Sequence, residues 1–243
     1  MEKFEEFKKP ISKSENLPHY NFEKVFDDLE RIAFPLVERL KESIDNGDYD
    51  MLIGDDASGR LPTLALRGVI NERNRKLCPD LKLSESEIKT RFVAGGQNEE
   101  NKEELKKALE KLKPEIKKKA LVVTEYIQSG ESMARISKLL ENLGISFDVA
   151  AFTSEKDKLE IPENSKFFYG GTDHYIDAPS FYCIPEMSGI VKDCEPGPYA
   201  ISNIKKWAGK GADLKVAQEK INKARKDVDL LVNKIIERVW GKK

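Results

Sequence analysis

The stretch ALVVTEYIQSGESMARISKLLENLG, residues 120–144, passes from an apolar segment through a short polar segment into an amphipathic one. The apolar run from Ala120 to Val123 predicts a buried strand, and the apolar spacing that follows predicts a helix to Leu143. Gly144 is expected to close that helix as a C-terminal cap. A strand that leads through a short loop into a helix is typical of α/β proteins with parallel sheets, so this stretch decides the expected fold class.

The same order of patterns occurs earlier, in MLIGDDASGRLPTLAL at residues 51–66. There we expect a Gly-containing loop and then a helix from about Leu61, because Pro62 suits a first helical turn. Further strands are predicted at 88–93, at 147–152 and around 167–169. A charged segment, 97–119, lies between the predicted strands at 88–93 and 120–123. Its thin apolar stripe predicts shallow docking at best. A lid that closes over a site is an open alternative for this segment.

Two more helices are predicted outside this core. From Phe22 to Leu40, apolar residues recur at three- and four-residue steps, and Pro35 is expected to kink or interrupt the helix. From Leu214 to Ile235 the same spacing forms a narrow seam, which requires a helical partner. Either the terminal helices pack together, within a subunit or across a homodimer, or each covers the sheet separately.

These patterns predict an α/β protein with a mainly parallel sheet flanked by helices and with added N- and C-terminal helices. The expected organisation is a polar arm at 1–20, an N-terminal helix at 21–48, an α/β core at 49–170, an irregular segment rich in aromatic residues and proline at 171–212, and a C-terminal helix at 213–243.

Composition narrows the classes of function. Charged residues make up 35% of the chain, yet the formal net charge is −1, which argues against a general nucleic-acid surface. No signal peptide or membrane-spanning stretch is recognised, so we expect a cytoplasmic protein without a membrane partner. Cys78, Cys183 and Cys194 lack the short paired spacing of a zinc site, and their odd number does not indicate a disulfide framework.

The polar loop at residues 128–132 has the composition of a phosphate-binding loop. A helix N-terminus offers unpaired backbone N–H groups, Ser129 and Ser132 add hydroxyl groups, and Gly130 allows close approach to the backbone. An ordinary helix cap is the competing interpretation. Glu125, just before the loop, is suited to accept hydrogen bonds from a sugar diol or to hold a metal-bound water.

The sequence LVVTEYIQSGESM, residues 121–133, resembles the signature of the type I phosphoribosyltransferase family. That signature has four apolar residues, two acidic residues, two or three variable ones, and a Thr/Ser-Gly-x-Thr/Ser phosphate loop that leads into a helix. MLIGDDASGRLPTLAL is similar to the family's first strand and pyrophosphate loop. The likeness covers about residues 49–152. It implies the family's fold and the transfer of a phosphoribosyl group from phosphoribosyl pyrophosphate to a nitrogenous base, with release of pyrophosphate.

The resemblance also implies roles for individual residues. Glu125 and Thr124 would face the ribose hydroxyls, and Glu125 would contact Mg²⁺ through water. The 5-phosphate, or the phosphate of a nucleoside monophosphate, would bind to Gln128, Ser129, Gly130, Glu131 and Ser132. The pyrophosphate, normally bound with Mg²⁺, would meet Ala57, Ser58, Gly59 and Arg60. Separately from the resemblance, the adjacent carboxylates of Asp55 and Asp56 could hold Mg²⁺ or serve as acid and base, with one of them facing the site. Solvated turn residues are the competing interpretation of this pair. A platform for the base is expected among Phe168, Tyr169, Tyr175, Phe181 and Tyr182.

Three positions depart from the family pattern. Thr124 replaces the first acidic residue, Gln128 stands where some members have an acidic general base, and Glu131 adds a carboxylate to the phosphate loop. These departures suit an alternative function, a non-catalytic sensor of phosphoribosyl pyrophosphate or a nucleotide. A third alternative is an assembly module that uses the two terminal helices.

Overall fold

The computed structural model describes residues 22–80, 87–93, 99–172 and 214–241. Its strands are β1 (Tyr49–Asp55), β2 (Lys89–Val93), β3 (Lys119–Ile127), β4 (Phe147–Ser154) and β5 (Phe167–Gly171). They form a five-stranded sheet in the order β2-β1-β3-β4-β5, and every neighbouring pair is parallel. The predicted α/β class with a parallel sheet flanked by helices is therefore confirmed.

The described helices are α1 (Phe22–Asp45), α2 (Asp56–Leu77), α3 (Glu99–Leu112), α4 (Glu131–Asn142) and α5 (Leu214–Trp240), with a short 3₁₀ helix at Lys113–Glu115. Pro35 lies inside α1 and does not interrupt it. The neighbouring Leu36 and Val37 are fully buried, so tertiary packing holds the helix together where local propensity disfavours it. None of these helices has the length and apolar character required to cross a bilayer.

The sheet is covered on both faces. One core cluster joins the sheet to α1, α2 and α5, and the other joins it to α3 and α4. In α3 the side chains of Leu105 and Leu109 are 1% and 0% exposed, so the prediction of shallow docking is wrong. The connection from β2 to β3 has to pass over β1, and this crossover buries even a thin apolar stripe against the sheet.

The terminal helices pack against each other within the chain. Arg238 of α5 lies 3.9 Å from the ring centroid of Phe34 in α1, and it forms an ion pair of 3.3 Å with Glu30. α5 also crosses α2 at Gly68, where an added Cβ atom would lie 2.7 Å from Val232. In addition, α1 contacts β4 and β5, so this helix both covers the sheet and supports α5. A dimer through the same apolar residues would require them to leave this packing.

A polar cluster joins the amino ends of three strands. Asp148 of β4 accepts hydrogen bonds from the Tyr49 hydroxyl at 2.8 Å, from the Lys119 ammonium at 3.1 Å and from the backbone N–H of Lys166 at 2.7 Å. Burial, and then the adjacent Asp148 carboxylate, raises the pKa of the Tyr49 phenol above its ordinary range. The cluster therefore holds a carboxylate, an ammonium and a neutral phenol in one hydrogen-bonded arrangement.

The strand order creates a switch point between β1 and β3. From β1 the chain crosses to β2 through α2 on one face, whereas from β3 it crosses to β4 through α4 on the other face. In open parallel sheets, the carboxyl ends of the two strands at such a point border a crevice that commonly holds ligands. Asp55 and the loop after Ile127 lie at this switch point, where the topology predicts a ligand-binding crevice.

Candidate functional site

The junction of β1 and α2 differs from the expected loop. α2 begins at Asp56, five residues before the predicted start near Leu61, so Asp56, Ala57, Ser58, Gly59 and Arg60 form its first turn. Asp55 precedes it in an extended conformation and is half-buried. The first backbone N–H groups of a helix have no partner within the helix, so this turn still offers donors to an anion.

Gly59 explains why the helix starts so early. A Cβ atom at this position would lie 2.7 Å from the carbonyl oxygen of Val123 in β3. The absence of a side chain lets the first turn of α2 rest directly on the neighbouring strand. The glycine that suggested a loop in the sequence is therefore a point of close helix-strand contact.

The two candidate ribose ligands lie inside β3 rather than at its exit. β3 extends to Ile127 because Tyr126 and Ile127 continue the pairing with Thr153 and Ser154 of β4. Thr124 and Glu125 are 1% and 4% exposed. Successive side chains of a strand point to opposite faces, so Thr124 and Glu125 do not act on one ligand from the same side. Of the two, the register places Glu125 on the face that α2 covers, since its neighbour Val123 belongs to that core.

The loop before α4 has the backbone geometry of a tight helix entry. Gly130 has a φ of +82°, which favours glycine, and an added Cβ would lie 3.2 Å from Leu159. Gln128 and Ser129 are exposed, and the Ser129 hydroxyl accepts a weak hydrogen bond of 3.4 Å from the N–H of Glu131. The loop is thus open to solvent at the N-terminus of α4.

The side chain of Glu131 points outward. It is 75% exposed and lies 3.9 Å from Arg135, one turn further along α4. Arg135 also donates to the hydroxyl of Ser132 at 3.3 Å. Arg135 therefore brings a cation to the polar loop at 128–132, and the sequence interpretation missed it. Its spacing of three residues from Ser132 was the available signal, since residues three or four apart share a helix face.

A second missed residue is Phe92, at the end of β2. The guanidinium carbon of Arg60 lies 5.2 Å from the centroid of the Phe92 ring, within the range of a cation-π interaction. Phe92 is paired in register with Gly54 of β1. No sequence pattern pointed to this contact, because it depends on how β1 and β2 pair.

The predicted aromatic platform is only partly within the described residues. Phe168 and Tyr169 lie in β5, and the Tyr169 ring lies 4.6 Å below the guanidinium carbon of Arg39. Tyr175, Phe181 and Tyr182 lie outside the described residues, as does the candidate base-binding segment to which they belong.

The residues present suit a metal carried by a ligand better than a metal held by protein alone. Within residues 22–80, 87–93, 99–172 and 214–241, no group of three or more His, Cys, Asp or Glu side chains is arranged to hold a metal ion. Mg²⁺ commonly binds through one or two carboxylates, water and substrate phosphates. Asp55, at the end of β1, and Glu125, buried within the adjacent β3, are the carboxylates that such a mode would use.

Comparison of the chain with protein-family models, with curated proteins and with solved structures finds no significant match. The candidate site is therefore defined by the first turn of α2, by the loop before α4 and by the sequence pattern of these two segments.

Proposed function

We propose that the crevice between β1 and β3 binds phosphoribosyl pyrophosphate or a nucleoside monophosphate, and that the protein transfers the phosphoribosyl group to a nitrogenous base. One observation carries the proposal. α2 and α4 begin at the carboxyl ends of two adjacent parallel strands, on opposite faces of the sheet, and the Glu125 carboxylate lies in the strand that leads to α4. Two helix N-termini at one crevice suit a ligand that carries phosphate groups at both ends.

In this proposal the 5-phosphate binds to the N-terminus of α4. Gly130 keeps the backbone accessible, the α4 dipole favours negative charge, and Arg135 supplies a cation near Ser132. The outward position of Glu131 supports the proposal, because its carboxylate then does not face the phosphate. The extra carboxylate at position 131 is thus compatible with phosphate binding in this proposal.

The other end of the ligand binds to the first turn of α2. Its backbone N–H groups and Arg60 face the departing pyrophosphate, and Mg²⁺, when bound to the pyrophosphate, neutralises part of its charge. Glu125 accepts hydrogen bonds from the ribose hydroxyls, and its burial strengthens such bonds because the local dielectric is low. The incoming nitrogen forms a bond to the anomeric carbon as the bond to pyrophosphate breaks, so the protein acts by positioning and by stabilising charge.

A second candidate function, ligand sensing without turnover, is favoured by Thr124. Thr124 has no carboxylate and is buried on the opposite face from Glu125. β3 therefore offers one carboxylate, where the family pattern has two. Gln128 is exposed and carries no charge to act as a base. In this alternative the protein binds the ligand and leaves the bond at the anomeric carbon intact.

Calorimetric titration of phosphoribosyl pyrophosphate with Mg²⁺ tests the proposal. We expect binding to the wild type and a loss of at least about tenfold in affinity for Glu125→Ala, which is about 1.4 kcal/mol. The matched control is Glu141→Ala, an exposed carboxylate at the far end of α4, which should leave affinity unchanged. Absence of binding to the wild type would contradict the proposal.

Turnover is measured separately. Release of pyrophosphate in the presence of a panel of nitrogenous bases supports the transferase. Binding that depends on Glu125, without release for any base, supports the sensor instead.

A further inference from the structure

Phe92 occupies space that any side chain at position 54 would fill. A Cβ atom added to Gly54 would lie 2.6 and 2.8 Å from two atoms of the Phe92 ring and 2.7 Å from the hydroxyl oxygen of Thr63. These distances are shorter than van der Waals contact. The ring therefore lies between β1 and α2 because position 54 carries no side chain.

The ring in turn supports Arg60. The guanidinium carbon lies 5.2 Å from the ring centroid, and both side chains are half-buried. Arginine has many rotamers in solution, and ordering them opposes binding. A guanidinium that already lies on an aromatic ring loses less conformational entropy when it binds an anion. The stacking of Arg60 on Phe92 therefore preorganises the guanidinium for binding.

The stack also fixes the side of α2 on which the cation lies. In the first turn of α2, Gly59 faces β3, whereas Arg60 lies over Phe92 of β2. The N-terminus of α4 follows β3. Arg60 is thus on the side of the crevice away from the phosphate loop, where a ligand with a single phosphate on α4 does not need it.

We propose that Phe92 is a positioning residue that holds Arg60 for a second anionic group, and so selects pyrophosphate-bearing sugar phosphates over sugar monophosphates. This inference rests on the proposed function, since it assumes that the crevice binds a phosphorylated sugar. Gly54 contributes by leaving room for the ring.

The experiment compares ribose 5-phosphate with phosphoribosyl pyrophosphate, both with Mg²⁺, by calorimetry. For Phe92→Leu we expect the affinity for phosphoribosyl pyrophosphate to fall about five- to tenfold, the range of a lost cation-π contact, while that for ribose 5-phosphate changes less than about twofold. Phe92→Tyr keeps an aromatic ring and should retain wild-type selectivity.

A double-mutant cycle separates positioning from a general structural effect. Arg60→Met should lower the affinity for phosphoribosyl pyrophosphate, and adding Phe92→Leu to it should cause no further loss. Melting temperatures of all variants verify that each is folded, and Phe92→Tyr provides the comparison if Phe92→Leu does not fold.

The outcomes distinguish this inference from the proposed function. If the wild type binds neither ligand, both fail. If it binds both and Phe92→Leu weakens them equally or not at all, the proposed function stands and the role of Phe92 is overturned. Additive losses in the cycle would likewise overturn it.

Discussion

The two ends of the sheet use polar residues in opposite ways. At the amino ends, Asp148 is buried and accepts hydrogen bonds from Tyr49, Lys119 and the backbone of Lys166. At the carboxyl ends, Gln128 and Ser129 in the polar loop at 128–132 face solvent. The first arrangement is closed and satisfied by the protein, whereas the second leaves the N-terminus of α4 open to solvent.

This difference indicates which polar residues stabilise the fold and which remain available to a ligand. A buried carboxylate with three donors holds strand ends together, and removing it leaves those donors without an acceptor. An open loop at a helix N-terminus adds little to stability but retains donors for an anion. Changes at the amino ends should therefore act on folding alone, whereas changes at the carboxyl ends should also alter ligand affinity.

The largest effect on stability is expected for Asp148→Ala. It leaves the Tyr49 hydroxyl, the Lys119 ammonium and the Lys166 N–H without their shared acceptor, and should lower the free energy of unfolding by about 3 kcal/mol. Urea denaturation measures this. The exposed Asp80 provides the control, since Asp80→Ala should change stability by less than about 0.5 kcal/mol. If the two substitutions lowered stability equally, the hydrogen bonds to Asp148 would not stabilise the fold as expected.

An intermediate effect is expected for Gly59→Ala at the carboxyl ends. The added methyl group collides with the Val123 carbonyl, so α2 must shift, at a cost of about 2 kcal/mol. Because the shifted turn carries the proposed pyrophosphate site, affinity for phosphoribosyl pyrophosphate should fall as well.

Gly144→Ala is the matched control for Gly59→Ala. It introduces strain at a φ of +63° with no atom within 4 Å, and should cost about 1 kcal/mol without a change in affinity. If Gly59→Ala bound phosphoribosyl pyrophosphate with unchanged affinity, the first turn of α2 would not be part of the binding site.

The smallest effect at neutral pH is expected for Tyr49→Phe, which removes one of the donors to Asp148 and should cost about 1 kcal/mol. The pH dependence of stability tests the Tyr49 phenol directly. The folded state raises the pKa of Tyr49, so its contribution is fully present below about pH 10, the ordinary tyrosine pKa, and is lost as pH rises further.

Above about pH 10, wild-type stability should therefore fall more steeply than that of Tyr49→Phe, by up to about 1.4 kcal/mol per pH unit. Urea denaturation of both proteins from pH 8 to about pH 11 gives the two slopes. Parallel curves would show that the phenol does not resist ionisation in the folded state.

The sequence predicted the elements whose patterns are local. The strand at 120–123, the helix that follows Gly130 and the cap at Gly144 depend on neighbouring residues alone, and Gly144 has the expected φ of +63°. The polar loop at 128–132 was also predicted locally, as a short segment between a strand and a helix.

The features that depend on tertiary contacts were missed or misjudged. β3 continues past Val123 because β4 pairs with it, and α2 starts early because Gly59 fits against β3. The contact between Arg60 and Phe92 requires the register of β1 with β2, which no window of the sequence contains. The polar loop at 128–132 was thus predictable from the sequence, whereas the early start of α2 and the arrangement of side chains were not.

The packing of α5 on α1 has a consequence for synthesis of the chain. Arg238 and Glu30, which join the two helices, are 208 positions apart, so α1 is complete long before its outer partner leaves the ribosome. Until then the apolar positions of α1 and α2 that α5 covers stay open to water or to chaperones. Final assembly of this layer therefore waits for α5, and a premature stop before α5 would release a chain with that layer uncovered.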